Sequence, residues 1–194
     1  MKATRHTTSQ STYVTLLRGI NVGGHKAVKM DQLRNAFEAL GFEDVTTYVQ
    51  SGNVVFNAFT RASENLSKKI EEKVLREFDI SVPVTVKTAG EVNDVIRNNP
   101  FLQEKGIDLS KLHVTFLSHA PEKTALKMLD VIANAPDQFR SSGKEIYLYC
   151  PNGYGVTKLS NNALEKVLSV RATTRNWKTV NRLHEMTLGG KPAH

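Results

Sequence analysis

The stretch DVTTYVQSGNVVFN, residues 44–57, decides the fold because it predicts a β-hairpin. Residues 44–49 and 54–57 are short runs rich in β-branched and apolar side chains, which are typical of strands. The polar turn Ser51-Gly52-Asn53 lies between them, and a turn this short joins antiparallel neighbours. We therefore expect two adjacent strands here, and the other elements of the first half are placed around them.

One helix and one strand are predicted on each side of this hairpin. Upstream, residues 13–17 (YVTLL) predict a strand, and residues 30–40 predict a helix that ends at the C-cap glycine Gly41. Downstream, residues 61–78 predict a helix with a charged outer face, and residues 82–87 predict a strand. The order strand, helix, strand, strand, helix, strand is the split βαβ, or ferredoxin-like, pattern.

The second half repeats this order in part. After a helix over residues 91–98, a strand is expected at 112–117, a helix at 122–133 and a hairpin of strands 138–141 and 145–149. A helix to about Leu168 would start at Ser160 or Asn162, with Glu165 completing a capping box after Asn162. A last helix would cover residues 176–186.

The predicted fold is therefore α+β, with two tandem ferredoxin-like (βαββαβ-type) halves and additional C-terminal helices. The boundaries that we expect are a disordered leader (1–11), a first half (12–88), a second half with the C-terminal helices (89–187) and a loose tail (188–194).

Composition limits the class of protein. Hydrophobic residues make up 40% of the 194 residues, which predicts a packed core, and no apolar run approaches the length of a membrane span. Residues 1–11 lack the apolar centre of a secretory signal, and the single Cys150 forms neither an internal disulfide nor a zinc site. We expect a cytoplasmic protein without a membrane partner. Its net charge of +7 attracts polyanions.

Three motifs resemble a known family. They are LLRGINVGG (16–24), YVQSGNVVF (48–56) and ATTRNW (172–177), and together they are similar to the signature stretches of the domain-of-unknown-function 1697 family over about residues 12–187. That family is mainly bacterial. The resemblance implies two ferredoxin-like units in tandem, and it implies no activity, substrate or cofactor.

Topology brings two polar loops to one sheet edge, because the first and second strands of a ferredoxin-like sheet run in the same direction. Glycines let backbone N–H groups approach a ligand, and a helix follows the first loop, so this edge is suited to an anion. Neither a Walker loop nor a dinucleotide fingerprint is present. The structural alternative is that the glycines make a tight turn and the asparagines satisfy loop backbone. The ligand-binding candidates here are Arg18, Asn21, Gly23, Gly24, Lys26, Gln50, Ser51 and Asn53.

The third motif adds Arg175 and Asn176 as ligand-binding candidates. Spacings of 3 and 4 predict Arg175, Lys178 and Arg182 on one helical face. Trp177 is interpreted as a core anchor, with a base-stacking platform as the alternative.

Three functions stay open at this point. The first is a non-catalytic binder of a phosphate-bearing partner, either nucleic acid or nucleotide. The second is a small-molecule enzyme at the same edge, with His25 or Asp31 as proton carrier, and the third is a protein-interaction module. The sequence identifies no catalytic residue, no metal site and no cofactor, and SGNVVF (51–56) matches the RNA-recognition stretch poorly. Oligomeric state does not follow from the sequence.

Overall fold

The computed structural model describes residues 10–22, 27–59 and 63–190, which form a mixed α+β protein with two four-stranded antiparallel sheets. The predicted α+β class is confirmed. The chain divides into two compact units. The first unit comprises Met1–Glu91 with Glu185–His194, and the second comprises Val92–His184. Each unit contains one of the sheets.

The first unit follows the predicted element order. Its elements are β1 (Ser11–Leu17), α1 (Met30–Glu38), β2 (Glu43–Tyr48), β3 (Asn53–Ala58), α2 (Ser63–Phe78) and β4 (Val84–Thr88). The strands lie in the order β2-β3-β1-β4, so β2 and β3 form the predicted hairpin. Ser11 pairs with Ala58, so β1 begins at the last residue of the predicted disordered leader, and the prediction is wrong at that residue. Residues 1–9 of that leader lie outside the described residues.

Apolar side chains from α1, α2 and one face of the sheet form the first core. Phe37 of α1 packs edge-on against Phe56 of β3, and Tyr13 of β1 stacks on the same ring at a centroid distance of 5.6 Å. Ile70 of α2 is fully buried beside them, and burial of such a side chain stabilises the fold by roughly 1.5–3 kcal/mol. Gly41 ends the α1 segment at a φ of 82°, as its C-cap role predicts.

The second unit has the same strand order with different lengths. Its elements are β5 (Leu112–Leu117), α4 (Lys123–Ile132), β6 (Gln138–Ser142), β7 (Glu145–Tyr149), α5 (Asn161–Leu168) and β8 (Ala172–Asn176). The order β6-β7-β5-β8 repeats that of the first sheet. Two helices, α3 (Ala89–Arg97) and α6 (Trp177–Thr187), span the divisions between the units. Short 3-10 helices cover Pro100–Gln103, Leu109–Lys111 and Tyr154–Val156.

Strand β8 corrects the prediction that only helices follow β7. Thr173 and Thr174 are β-branched and pair with β5, so the polar run ATTRN becomes an edge strand. The predicted capping box is also wrong. Ser160 is the N-cap of α5 and accepts from the Ala163 N–H, whereas the Glu165 carboxylate accepts from the Ala172 N–H at 2.9 Å and ties β8 to α5.

The end of α6 closes in a hydrogen-bonded turn. The Gly190 N–H donates to the Glu185 carbonyl at 3.1 Å, so the start of the predicted loose tail is ordered against its helix. None of the helices in the described part of the chain combines the length and the apolarity needed to cross a bilayer.

Candidate binding edge

The end of β1 is tied to both neighbouring strands. The Leu17 N–H donates to the Gly52 carbonyl at 2.8 Å, and the Arg18 N–H donates to the Pro83 carbonyl, just before β4, at 3.0 Å. Arg18 therefore leaves the sheet where three strand ends meet. We call residues 18–22 and 27–29, together with the turn 49–52, the first edge.

Close packing at Gly52 fixes the turn against the loop. Gly52 has a φ of 71°, and a Cβ there would lie 2.8 Å from Ile20 Cδ1 and 2.9 Å from Leu17 Cβ. Ile20 is itself buried. No side chain fits at this position, so glycine is required both for its backbone angle and for the contact.

The Asn21 amide brackets the loop. Its Nδ2 donates to the Val28 carbonyl at 2.9 Å and to the Gln50 carbonyl at 2.8 Å, and its Oδ1 accepts from the Val28 N–H at 2.7 Å. Asn21 also adopts a φ of 55°, which asparagine tolerates better than most residues. One side chain thus joins the two ends of the loop and holds them against the hairpin turn, so the two loops meet as the topology predicts.

Asn53 shapes the turn from inside. Its buried Nδ2 donates to the Tyr48 carbonyl at 3.1 Å and to Ser51 Oγ at 2.9 Å. The amides of both asparagines therefore satisfy loop atoms, as the structural alternative supposed. Their contact with a ligand stays a prediction.

The surface of the first edge is polar, basic and partly apolar. Gln50, Ser51 and Lys29 are exposed, and Arg18 is half-buried. Val22 and Val49 expose 64% and 52% of their surface. The predicted ligand residues Gly23, Gly24 and Lys26, and also His25, lie outside the described residues.

Asp31 lies at the start of α1, just beyond the first edge. Its carboxylate is exposed and lies 3.4 Å from Arg34 one turn later. A carboxylate in the first helical turn stabilises the helix dipole, which is the structural interpretation of Asp31.

Arg175 and Asn176 belong to the second unit, whereas the first edge belongs to the first. Arg175 lies in β8 opposite Val114, so its prediction on a helical face with Lys178 and Arg182 is wrong. Its Nη1 donates to the Thr174 carbonyl, and burial lowers the pKa of the guanidinium to about 10. Asn176 Oδ1 accepts from the Thr179 N–H at 2.7 Å and caps the first turn of α6.

Trp177, which follows directly, is 6% exposed and is a core residue, as predicted. Its ring is therefore not displayed as a platform for base stacking.

The second unit contains an edge built in the same way. The Leu117 N–H donates to the Lys144 carbonyl at 2.8 Å, and the Ser118 N–H donates to the Arg171 carbonyl at 2.9 Å. We call residues 118–122 with the turn 143–144 the second edge. Five residues connect β5 to α4 there, whereas twelve connect β1 to α1 at the first edge.

A polar network inside the second unit was not predicted from the sequence. Thr115 Oγ1 lies 2.7 Å from Thr174 Oγ1, which donates to Asn161 Oδ1 at 2.7 Å. His113, two residues along β5, stacks on Tyr154 at a centroid distance of 4.9 Å. His113 and Thr115 lie two residues apart on one face of β5, and this spacing was the signal that could have indicated the network. Their partners come from segments whose position in space the sequence alone does not give.

Comparisons with known proteins support the fold. A family model described as "Protein of unknown function (DUF1697)" matches residues 10–147, so the third motif lies beyond the matched part. The solved structure of the conserved bacterial protein SP0830 from Streptococcus pneumoniae has a TM-score of 0.69 and 22% identity, over 92% of this chain and 99% of that one. No curated protein matches the chain.

Proposed function

We propose that the first edge binds a phosphate-bearing ligand without catalysing a reaction. The chain belongs to the protein family of unknown function DUF1697, as its first two motifs predict. The ligand class is nucleic acid or nucleotide. The observation that carries the proposal is the twelve-residue connection at the first edge, where the second unit makes the same turn with five. A loop that the fold does not need is available for binding.

The two flanks of the loop, at Asn21 and Val28, are held in place before any ligand arrives. The three hydrogen bonds of Asn21 and the contact of Gly52 with Ile20 fix its ends and the adjoining turn. A preorganised site loses less conformational entropy on binding than a mobile one. This supports a specific ligand more than a loose electrostatic attraction.

Basic residues frame the loop. Arg18 leads into it and Lys29 leads out of it, with Lys26 between them in sequence. A guanidinium offers paired N–H donors that match the oxygens of a phosphate. The net charge of +7 adds a long-range attraction for a polyanion.

A protein-interaction module is the second candidate. The exposed side chains of Val22 and Val49 favour it, because apolar surface next to a fixed loop suits a protein partner. An enzyme with His25 or Asp31 as proton carrier receives less support, since Asp31 has a sufficient role at the start of α1 beside Arg34.

We also propose that each unit is a ferredoxin-like fold and that the two are tandem repeats. The identical strand orders support this, as do equivalent pairings such as Leu16 with Asn53 and Phe116 with Glu145.

A cytoplasmic location is part of the same proposal. It is consistent with a lone cysteine, Cys150, whose thiol is buried and has its pKa raised to about 11 by that burial.

Fluorescence anisotropy tests the binding proposal. Labelled single-stranded RNA, duplex DNA and a labelled ATP analogue are titrated with the wild type, Arg18→Ala and Lys144→Ala across a salt series. Lys144 is the matched control because it is an exposed cation on the second edge and uses only its backbone carbonyl to hold β5. We expect Arg18→Ala to weaken binding about 5–10-fold, the loss of one charge-assisted phosphate contact, and Lys144→Ala to change it less than twofold.

Several outcomes would count against the proposal. Equal losses in the two variants would mean that only net charge matters. Absence of binding to all three probes at low salt would leave the interaction module as the better function. A loss of stability in Arg18→Ala, measured by urea denaturation, would show that Arg18 supports the fold rather than a ligand.

A further inference from the structure

A cleft of about 460 Å³ lies at the other end of the first sheet, away from the first edge. One wall of the cleft is formed by the strand ends opposite the turn 49–52. The other wall is formed by the end of α6 and the residues after it, including Met186 and Gly190. All of these residues belong to the first unit. The sheet residues that line it are Thr12, Asp44, Thr46, Val55 and Asn57.

Three of these side chains form a directed hydrogen-bond chain. Thr12 Oγ1 donates to Asn57 Oδ1 at 2.8 Å, and Asn57 Nδ2 donates to Asp44 Oδ2 at 2.8 Å. The Asn57 amide is therefore fixed in one orientation. Within the described part of the chain, Oδ1 of Asp44 accepts no hydrogen bond, so one carboxylate oxygen is left for a ligand.

The backbone at Asp44 is built in an unusual way. The β2–β3 register shifts between Glu43 and Thr46, and Asp44 adopts a φ of 50° at this bulge. A left-handed backbone is uncommon in non-glycine residues, although aspartate adopts it more readily than most, and it is over-represented at functional sites. Bulges are frequent beside binding sites because they redirect a side chain. Here the redirected side chain is the carboxylate that lines the cleft.

The chemistry of the lining selects the ligand. Among the described residues that line the cleft, Asp44 is the one that is charged, and it lies in a chain with a net charge of +7. Thr12, Thr46 and Thr187 add hydroxyl-bearing side chains to the lining, and Val55 and Met186 add apolar ones. A single carboxylate is a poor site for a hard metal ion, which takes six or more oxygens. It is well suited to an ammonium group with three donors.

We propose that this cleft binds a small primary amine with a short aliphatic body. The ammonium group donates to the Asp44 carboxylate and the threonine hydroxyls, and the aliphatic part lies on Val55 and Met186. The volume lies within the range of small-molecule sites. Because the carboxylate is exposed and screened by solvent, we expect weak binding of a minimal probe. This inference does not depend on the first edge.

NMR titration of the ¹⁵N-labelled protein tests it with n-butylammonium as the probe and 1-pentanol as its neutral analogue. We expect saturable amide shifts at Thr12, Thr46, Val55 and Asn57, with none at residues 18–22. Asp44→Asn should weaken binding at least fivefold, and asparagine accepts the φ of 50° that this position requires. Glu43→Gln is the matched control, since it removes the same charge from the neighbouring residue, which does not line the cleft.

A second variant keeps the test independent of charge. Thr187→Trp places a large ring at the wall of the cleft and should abolish binding with the carboxylate intact. The proposal is overturned by shifts that do not saturate, by equal binding of 1-pentanol, or by equal effects of Asp44→Asn and Glu43→Gln. None of these outcomes bears on phosphate binding at the first edge.

Discussion

At the first edge β1 ends with Leu17 bonded to Gly52, and at the second edge β5 ends with Leu117 bonded to Lys144, both at 2.8 Å. The next N–H in each unit, from Arg18 or Ser118, donates to the carbonyl at residue 83 or 171, just before the edge strand. The two edges thus share the same pattern of backbone hydrogen bonds and differ in the loop that follows the central strand. The long loop with its asparagine bracket is not needed to close this kind of sheet, which supports our proposal that it binds a ligand.

The two units also differ in the hydrogen bonds made inside their sheets. Thr15 and Thr115 occupy equivalent positions on the central strands, paired with Val86 and Thr174 respectively. Thr115 reaches the Thr174 hydroxyl, whereas the buried Thr15 Oγ1 has no hydrogen-bond partner among the described residues. The second unit has a polar network where the first unit has only packing.

The largest effect is expected at the turn glycines. Gly52→Ala should destabilise the protein by about 3 kcal/mol, since it adds strain at a positive φ to overpacking against Ile20 and Leu17. Gly143→Ala, in the turn of the second edge, should lower the stability by only about 1 kcal/mol. Its φ of 60° is strained for alanine, but the added Cβ would meet only a flexible Glu145 oxygen at 3.9 Å. Urea denaturation followed by far-UV circular dichroism measures both. Equal losses would mean that the close packing of the first edge is not what sets it apart.

The asparagine bracket gives the next effect. Asn21→Ala should destabilise by about 2 kcal/mol, because it removes three hydrogen bonds and leaves the buried Val28 backbone unpaired. Asn21→Gly relieves the φ of 55° and should recover roughly 0.5–1 kcal/mol of that loss. Thermal and urea unfolding of the pair separate the two contributions. If Asn21→Ala is neutral, the loop is not held as described.

Thr15 and Thr174 should respond to valine substitution with opposite signs. Thr174→Val leaves Asn161 Oδ1 without its donor and should cost about 1–2 kcal/mol. Thr15→Val removes a buried hydroxyl with no described partner at nearly constant volume, so it should stabilise by roughly 0.5–1 kcal/mol. Urea midpoints of the two single variants provide the measurement. A destabilised Thr15→Val would show that this hydroxyl has a partner after all.

The smallest effect is a pH dependence confined to the second unit. Burial lowers the pKa of His113 below 6.5, and a hydrogen bond with the Lys111 carbonyl opposes this only in part. The unfolded chain therefore binds a proton more readily than the folded one. Stability is fully present above pH 6.5 and declines as the pH falls from there toward the folded pKa.

His113→Phe tests the pH dependence, since the ring still stacks on Tyr154 but does not titrate. Its stability relative to the wild type should rise as the pH falls from 7 to 5, measured by urea denaturation at each pH. A difference that is constant with pH would contradict the assignment.

Sequence patterns predicted the elements that carry periodic apolar residues. The helix face with Leu33 and Phe37, the hairpin around residues 51–53 and strands β5 and β7 all follow from local spacing. Strand β8 was missed because Thr173 to Asn176 has no apolar alternation, and its strand state comes from pairing with β5. Local patterns do not contain that information.

The candidate site was predicted only as far as topology allows. Strand direction places Asn21 near Gln50, and the hydrogen bond between them is present. The use of both asparagine amides for loop backbone depends on side-chain geometry, and the Asp44–Asn57 pair depends on a bulge that no pattern in residues 43–46 signals. The comparison of the two edges requires the strand pairing of both sheets, which local sequence patterns do not contain.

NMR mapping of a short single-stranded RNA onto the ¹⁵N-labelled protein compares the two edges as ligand sites in a single experiment. We expect salt-sensitive, saturable shifts at residues 18–22, 27–29 and 49–52, and unchanged amides at 118–122 and 143–144. Shifts of equal size at the two edges, or shifts confined to the second, would contradict the proposal.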